Sequence, residues 1–367
     1  MAVADVVVVG AGIVGASVAY HAAAAGAAVV LLDATLPAGA VTGASFAWIG
    51  GPGGRDPVDG STTLRRAAMG EWRRLEREVP GVKVRWSGSL AWGEHALRDL
   101  EELGPDERLV DEAHVRRLEP NLRVPPQRAV LKSSDGSVDP VTVTEALVQA
   151  ARDRGAEVRL GTSVTRLRVR GDAVVGVETS SGPDACRTVV LAAGAGTPLL
   201  CAPLGVDLPV APSPALLLRF TAPPGLVRTL VASPQFEARQ SGGCLLLAGA
   251  YAGEVTQGEL RRTGQEAARW LAATFQGGEE ARLLDVRVGQ RPMPSDGLPV
   301  IGPLPGHSGV YLAVMHSGIT LGPAVGRQVA AELVEGNNAV QLSGVRPERL
   351  PLTTRPHHAA RPAEPSR

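Results

Sequence analysis

The beginning of the chain constrains it most. Residues 6–9 are four consecutive valines, which suit a strand buried on both faces of a parallel sheet. They run directly into Gly10-Ala11-Gly12-Ile13-Val14-Gly15. The first glycine permits a tight turn, the second lets backbone approach a pyrophosphate, and the third allows close packing of helix on strand. Ile13 and Val14 open the following helix, which carries Ser17, Tyr20 and Ala24 toward Gly26 and aims unpaired N–H groups at the phosphates. A second strand over residues 28–32 ends in Asp33, with Ala34 beside it. An acid about 20 residues past the glycines accepts hydrogen bonds from an adenosine ribose and repels a 2′-phosphate. Strand, glycines, helix, strand and acid in this order read as a dinucleotide site. The alternative is a structural βαβ unit with an empty pocket.

The 367 residues exceed a usual single core, so two domains are expected. Thirty-seven basic residues cancel thirty-seven acidic ones, leaving no electrostatic footprint for nucleic acid or an anionic membrane, and a small, weakly charged ligand is the expected partner. The two lysines, Lys83 and Lys132, leave arginine as almost every cation and argue against lysine chemistry. Cys186, Cys201 and Cys244 are too scattered for a disulfide framework or metal cluster. The first strand leaves no room for a leader, and no apolar stretch approaches the ~20 residues of an integral membrane segment, so a cytoplasmic location is expected. Residues 346–367, rich in proline, arginine and histidine, read as a disordered tail.

After Asp33 the chain enters a glycine-rich loop, residues 42–51, instead of further βα units. Asp139-Pro140 then starts a helix with an N-cap acid and an N1 proline, places Val143, Leu147 and Ala151 on one face, and closes at Gly155. A strand at 157–160, a hairpin of 164–170 with 174–179, and a buried strand at 188–192 follow, ending in the small-residue turn Ala193-Gly194-Ala195-Gly196. Leu64, Ala68, Trp72, Leu75 and Val79 follow helical spacing, as do Leu260, Ala267, Leu271 and Phe275, and both stripes read as core. Short strands are expected at 215–220 and 243–248.

These segments together resemble the FAD-dependent D-amino-acid oxidase superfamily, which includes glycine oxidase, the sarcosine oxidases and the D-amino-acid dehydrogenases. The stretches that carry the likeness are Asp135-Gly136-Ser137-Val138-Asp139-Pro140, the turn over 189–196, the run from Arg291-Pro292-Met293-Pro294 to Ile301-Gly302, and Met315-His316-Ser317-Gly318 to Pro323. The resemblance implies an α/β fold: a Rossmann-like FAD-binding domain assembled from residues 1–50, 139–208 and 286–345, interleaved with an α+β substrate domain on an antiparallel sheet from residues 51–138 and 209–285. It places Thr42, Ser45 and Ala47 along the cofactor, Val164 at adenine, Ala193 and Gly194 at the turn, and the backbone of Gly318, Ile319, Thr320 and Leu321 at the flavin. A final helix starting near Pro323 would direct its positive end at the ring.

The implied chemistry is oxidation of a small amine or amino acid (a D-amino acid, glycine or an N-methylated glycine) to an imine by hydride transfer to flavin N5. Arg291 matches the arginine that fixes a substrate carboxylate, and the other reading is a surface or inter-strand arginine. His316 could take a proton from the substrate ammonium, hydrogen-bond the cofactor, or brace its loop. His21, His95, His114, His307, His357 and His358 read as structural or solvated. In the family a tyrosine helps to close the substrate site. Here Phe236 or a neighbour falls in that region, and the three tyrosines are Tyr20, Tyr251 and Tyr311. Gly289-Gln290-Arg291 lacks the flavin-attaching cysteine of the monomeric sarcosine oxidases, so noncovalent FAD is expected, and no lysine follows Lys132 to match the one that serves their oxygen reactivity, which argues against an oxygen-using sarcosine oxidase. Oxygen, a quinone or a redox protein remain open as electron acceptors. Two alternatives stand beside this reading: a flavoenzyme for an amine without a carboxylate, and a non-catalytic escort protein that keeps the fold.

Overall fold

The computed structural model describes residues 3–52, 59–94, 96–97 and 103–354. Its first eight-stranded sheet runs in the order Val300–Pro303, Val310–Val314, Gly182–Leu191, Ala4–Val9, Val29–Asp33, Glu157–Leu160. Every join in that order is parallel except the first. The hairpin Val164–Arg170 with Ala173–Thr179 branches from the start of Gly182–Leu191. Ala4–Val9 is hydrogen-bonded on both edges and covered on both faces, which is why its apolar run is continuous rather than alternating.

The first helix, Ile13–Ala24, is apolar nearly all round because it lies between the Pro140–Arg152 helix and the final helix, Gly318–Leu333. Gly322 sits on Ile13 and Gly326 on Ser17, so the first and last helices run parallel with their N-termini together. A Cβ on Gly326 would come within 2.6 Å of the Ser17 backbone. Asp139 caps the Pro140–Arg152 helix as expected, accepting from the backbone N–H groups of Val141 and Thr142.

The second eight-stranded sheet is almost wholly antiparallel: Arg282–Pro294, Val210–Thr221, Cys244–Gly249, Glu237–Ser241, Leu230–Ala232, Ser89–Ala91, Arg128–Lys132, Glu107–Asp111. Helix Gln257–Thr274, started by a capping box of Thr256 and Glu259, covers one face through Ala267 and Leu271. Alternation along the strands leaves the opposite face to Ser213, Glu237, Arg239 and Arg291.

Several expectations need correction. Residues 286–294 belong to the antiparallel sheet, because Arg282–Pro294 pairs with Val210–Thr221 along its whole length. Helix Thr62–Glu78 packs its stripe against the helices of the first sheet, and Trp72 Nε1 donates to the Thr320 carbonyl at 3.1 Å. The final helix starts at Gly318, with Pro323 inside it: burial of Leu321, Ala324 and Val325 outweighs the hydrogen bond that the proline forfeits. The segment from Arg346 to Leu350 is ordered, because Arg346 forks onto Glu332 and Leu350 is buried. His95, His357 and His358 lie outside the described residues. No helix among the described residues is long and apolar enough to cross a membrane.

The glycine contact between the terminal helices generates a stability prediction. Gly326→Val should lower stability by about 1–3 kcal/mol through overpacking, read as a lower urea midpoint at unchanged slope. An unchanged midpoint would show that the two helices separate freely.

Candidate active site

A cleft of about 1720 Å³ lies between the C-terminal ends of the parallel strands and the polar face of the antiparallel sheet. That volume is well above the ~300–1,000 Å³ of an ordinary ligand pocket. Its floor is backbone. Gly10 takes a φ of +107°, and a Cβ there would meet the Ala192 carbonyl oxygen at 2.5 Å, so the turn requires glycine. Gly12 caps the first helix without a side-chain acceptor, and Ser317 does the same for the last. Thr42 Oγ1 accepts from Ile13 N at 3.3 Å, and the two adjacent helix N-termini bring partial positive charge to one cleft.

Asp33 has a partly different role from the one expected. Its carboxylate accepts from Ala11 N at 2.6 Å, Thr35 N at 2.7 Å and Thr35 Oγ1 at 2.9 Å, which fixes the glycine turn against the loop after the second strand. A carboxylate offers about four acceptor positions, so one remains for a ligand in the cleft. The loop from Thr42 to Gly51 forms a wall. Arg239 holds it by donating to the carbonyls of Phe46 and Val138, beside Ala47, whose φ of +58° lies in the left-handed region. Ser45 Oγ is buried in this wall with no hydrogen-bond partner among the described residues. Thr320 Oγ1 donates to the Trp48 carbonyl, and Trp48 Nε1 donates to Asp135, which ties the wall to both sheets.

The cleft collects Gly10, Gly12, Ile13, Val14, Asp33, Ala34, Thr42, Ser45, Ala47, Val164, Ala193, Gly194, Gly318, Ile319, Thr320, Arg291 and His316. Gly15 does not line it: a Cβ there would overlap the Gly10 carbonyl, so its task is helix–strand packing. Leu321 is also outside, buried in the core, with its N–H bonded to the Ser317 carbonyl. Phe236 faces Trp270 in the apolar cluster rather than the cleft. Arg65, Lys132 and Glu237 do line the cleft, and the sequence had not singled them out. Strand alternation across a known pairing would have exposed Glu237, but that pairing is not written in local sequence.

Arg291 Nε donates to the Ser213 carbonyl and its Nη2 to Ser213 Oγ at 2.8 Å, which fixes the guanidinium plane and leaves one terminal nitrogen for another partner. Burial, with Arg291 and Arg65 nearby, lowers the His316 pKa to about 4. The imidazole is therefore neutral near pH 7. Because the folded value lies below the unfolded 6.5, its stabilising contribution is full above pH 6.5 and is lost as pH falls through about 4. Urea midpoints taken near pH 7 and near pH 4 should therefore drop less in His316→Asn than in the parent. Equal drops would mean that His316 does not resist protonation.

The glycine cradle, the paired N-termini and the unpartnered Ser45 hydroxyl suit a large dinucleotide with phosphates and a polar chain. No group of three or more His, Cys, Asp or Glu placed to hold a metal occurs among the described residues. The chain is 29% identical to a glycine oxidase of Pseudomonas aeruginosa, over 91% of this chain and 96% of that relative. It is 32% identical to a D-amino acid dehydrogenase of Cereibacter sphaeroides over 66% of this chain, and this match spans little more than half of that relative, 58%. Its fold matches the crystal structure of glycine oxidase from Bacillus cereus with a TM-score of 0.81 at 23% identity, covering 96% of this chain and 99% of the other. The profile of the FAD dependent oxidoreductases matches residues 5–332. By that match, which takes in both sheets and the cleft between them, the chain belongs to the FAD dependent oxidoreductase family.

Proposed function

We propose that the chain oxidises a small amino acid or related amine to an imine, with FAD held noncovalently. The observation that carries the reading is Arg291, a braced guanidinium with a free edge in the cleft. Parallel hydrogen bonds from such a group set both the distance and the angle of a carboxylate. Cys186 and Cys201 are buried, and no cysteine lines the cleft, which supports a noncovalent cofactor. Three free cysteines fit a reducing, cytoplasmic compartment. The parallel sheet with its helices would serve the dinucleotide, and the antiparallel sheet the substrate.

FAD, when bound, supplies the two-electron acceptor. The protein's part is placement and protonation state. A His316 ring with a pKa of about 4 is poorly matched to hold a proton from an ammonium. The ammonium of a free amino acid is several units more basic than that ring, so the proton is not held on His316. His316 therefore acts as a neutral hydrogen-bonding group, and the substrate amine releases its proton to solvent on entry. Arg291 and Arg65, which keep the imidazole neutral, also disfavour an ammonium beside it. The imine leaves to be hydrolysed by water.

Anaerobic mixing of FAD-loaded protein with glycine, N-methylglycine and D-amino acids should bleach the visible flavin absorbance with at least one of them. Arg291→Ala should lower kcat/KM for carboxylate-bearing substrates roughly 100-fold. Equal loss with an amine lacking a carboxylate would remove Arg291 as anchor. Absorbance that persists with every substrate would favour the escort reading.

A further inference from the structure

We propose that Glu237 is a specificity-determining residue that selects substrates whose side chain ends in a cation, as in ornithine- or lysine-like amino acids. This rests on the amino-acid reading of the cleft. Glu237 lies on Glu237–Ser241, opposite Ala248. The next residue, Ala238, and its partner Leu247 belong to the apolar cluster under helix Gln257–Thr274, so strand alternation turns Glu237 to the other face. On that face it lines the cleft together with Arg291.

Its neighbours there are engaged elsewhere: Arg239 donates to the carbonyls of Phe46 and Val138, Lys132 to the Gly51 carbonyl, and Arg291 to Ser213 while keeping one terminal nitrogen for a substrate carboxylate. The Glu237 carboxylate has no hydrogen bond and no ion-pair contact among the described residues, and only the backbone of this residue is paired, in the sheet. Arg291 acts on it through space without touching it. Burial raises the Glu237 pKa and Arg291 lowers it, so the carboxylate is desolvated and only partly compensated. A half-buried carboxylate without a partner favours a cation beside it, and the open side of Glu237 is the cleft.

The position suggests which part of a substrate arrives. Arg291 acts on both Glu237 and His316, and all three line the cleft. His316 stands two residues before the final helix. A carboxylate on Arg291 with the reacting carbon on the His316 side leaves the substrate's side chain to extend toward Glu237. An ammonium or guanidinium at its end completes the ion pair that the protein leaves open, and an acidic side chain is repelled.

The test uses FAD-loaded protein and two acids without an α-amine, hexanoate and 6-aminohexanoate, titrated through the flavin visible spectrum. The parent protein should bind 6-aminohexanoate at least about 10-fold more tightly, as expected for one charge-assisted contact. Glu237→Gln should erase the difference while retaining hexanoate affinity, and Glu237→Asp should restore part of it. Anaerobic flavin reduction should show the same pattern for ornithine against norvaline and lysine against norleucine, each as both enantiomers. Equal binding of the two acids by the parent, or a preference that survives in Glu237→Gln, overturns the proposal while leaving amino-acid oxidation standing. Failure of every amino acid to reduce the parent's flavin overturns the amino-acid reading and this inference with it.

Discussion

The site depends on the contact between two helices whose touching residues lie more than three hundred positions apart in the chain. Gly322 on Ile13 and Gly326 on Ser17 let the final helix lie against the first at backbone distance, parallel to it. Parallel packing is what brings both N-termini to one place. With roughly half a unit of positive charge at each end, the pair sets the electrostatics of the cleft before any ionisable side chain contributes. Larger residues at either glycine would separate the ends and divide one binding surface into two.

Around that junction the two sheets contribute in different ways. The parallel sheet presents main chain: a glycine turn, helix ends and the carbonyls of the Thr42-to-Gly51 loop. Such a surface suits a ligand whose recognition lies in phosphates and ring edges. The antiparallel sheet presents side chains, because a sheet covered by helix on one face has alternate positions free on the other. Arg291, Glu237, Arg239 and Lys132 occupy those positions. Some brace the loop and others face a small molecule. The division explains why residues as different as Ala47 and Arg239 belong to one functional unit: the arginine's hydrogen bonds hold the loop in which the alanine keeps a left-handed backbone.

Legibility in the sequence followed locality. The glycine turn, the Asp139 cap, the stripe Leu64-Ala68-Trp72-Leu75 and the hairpin near residue 170 are encoded within a few residues of themselves, and the structure has them where the spacing puts them. Errors came where long-range packing decides. Pro323 reads as a helix start, yet burial carries the helix through it. The stretch after residue 345 reads as tail, yet Arg346 meets Glu332. Gly15 and Leu321 belong to motifs whose neighbours face the cleft, but helix geometry turns them into the core. Glu237 is hardest to find, because nothing near it in sequence shows which strand face will meet Arg291.

The same junction bears on how the chain is made. Ala4–Val9 has as its two neighbours Val29–Asp33 and Gly182–Leu191, both later in the chain, and the helix laid over it packs on residues beyond 318. At roughly 5–20 residues per second, about 15–60 s separate the first strand from its last cover. Until Gly182–Leu191 emerges, one edge of that β-branched apolar strand stays unpaired, an adhesive surface for other nascent polypeptides.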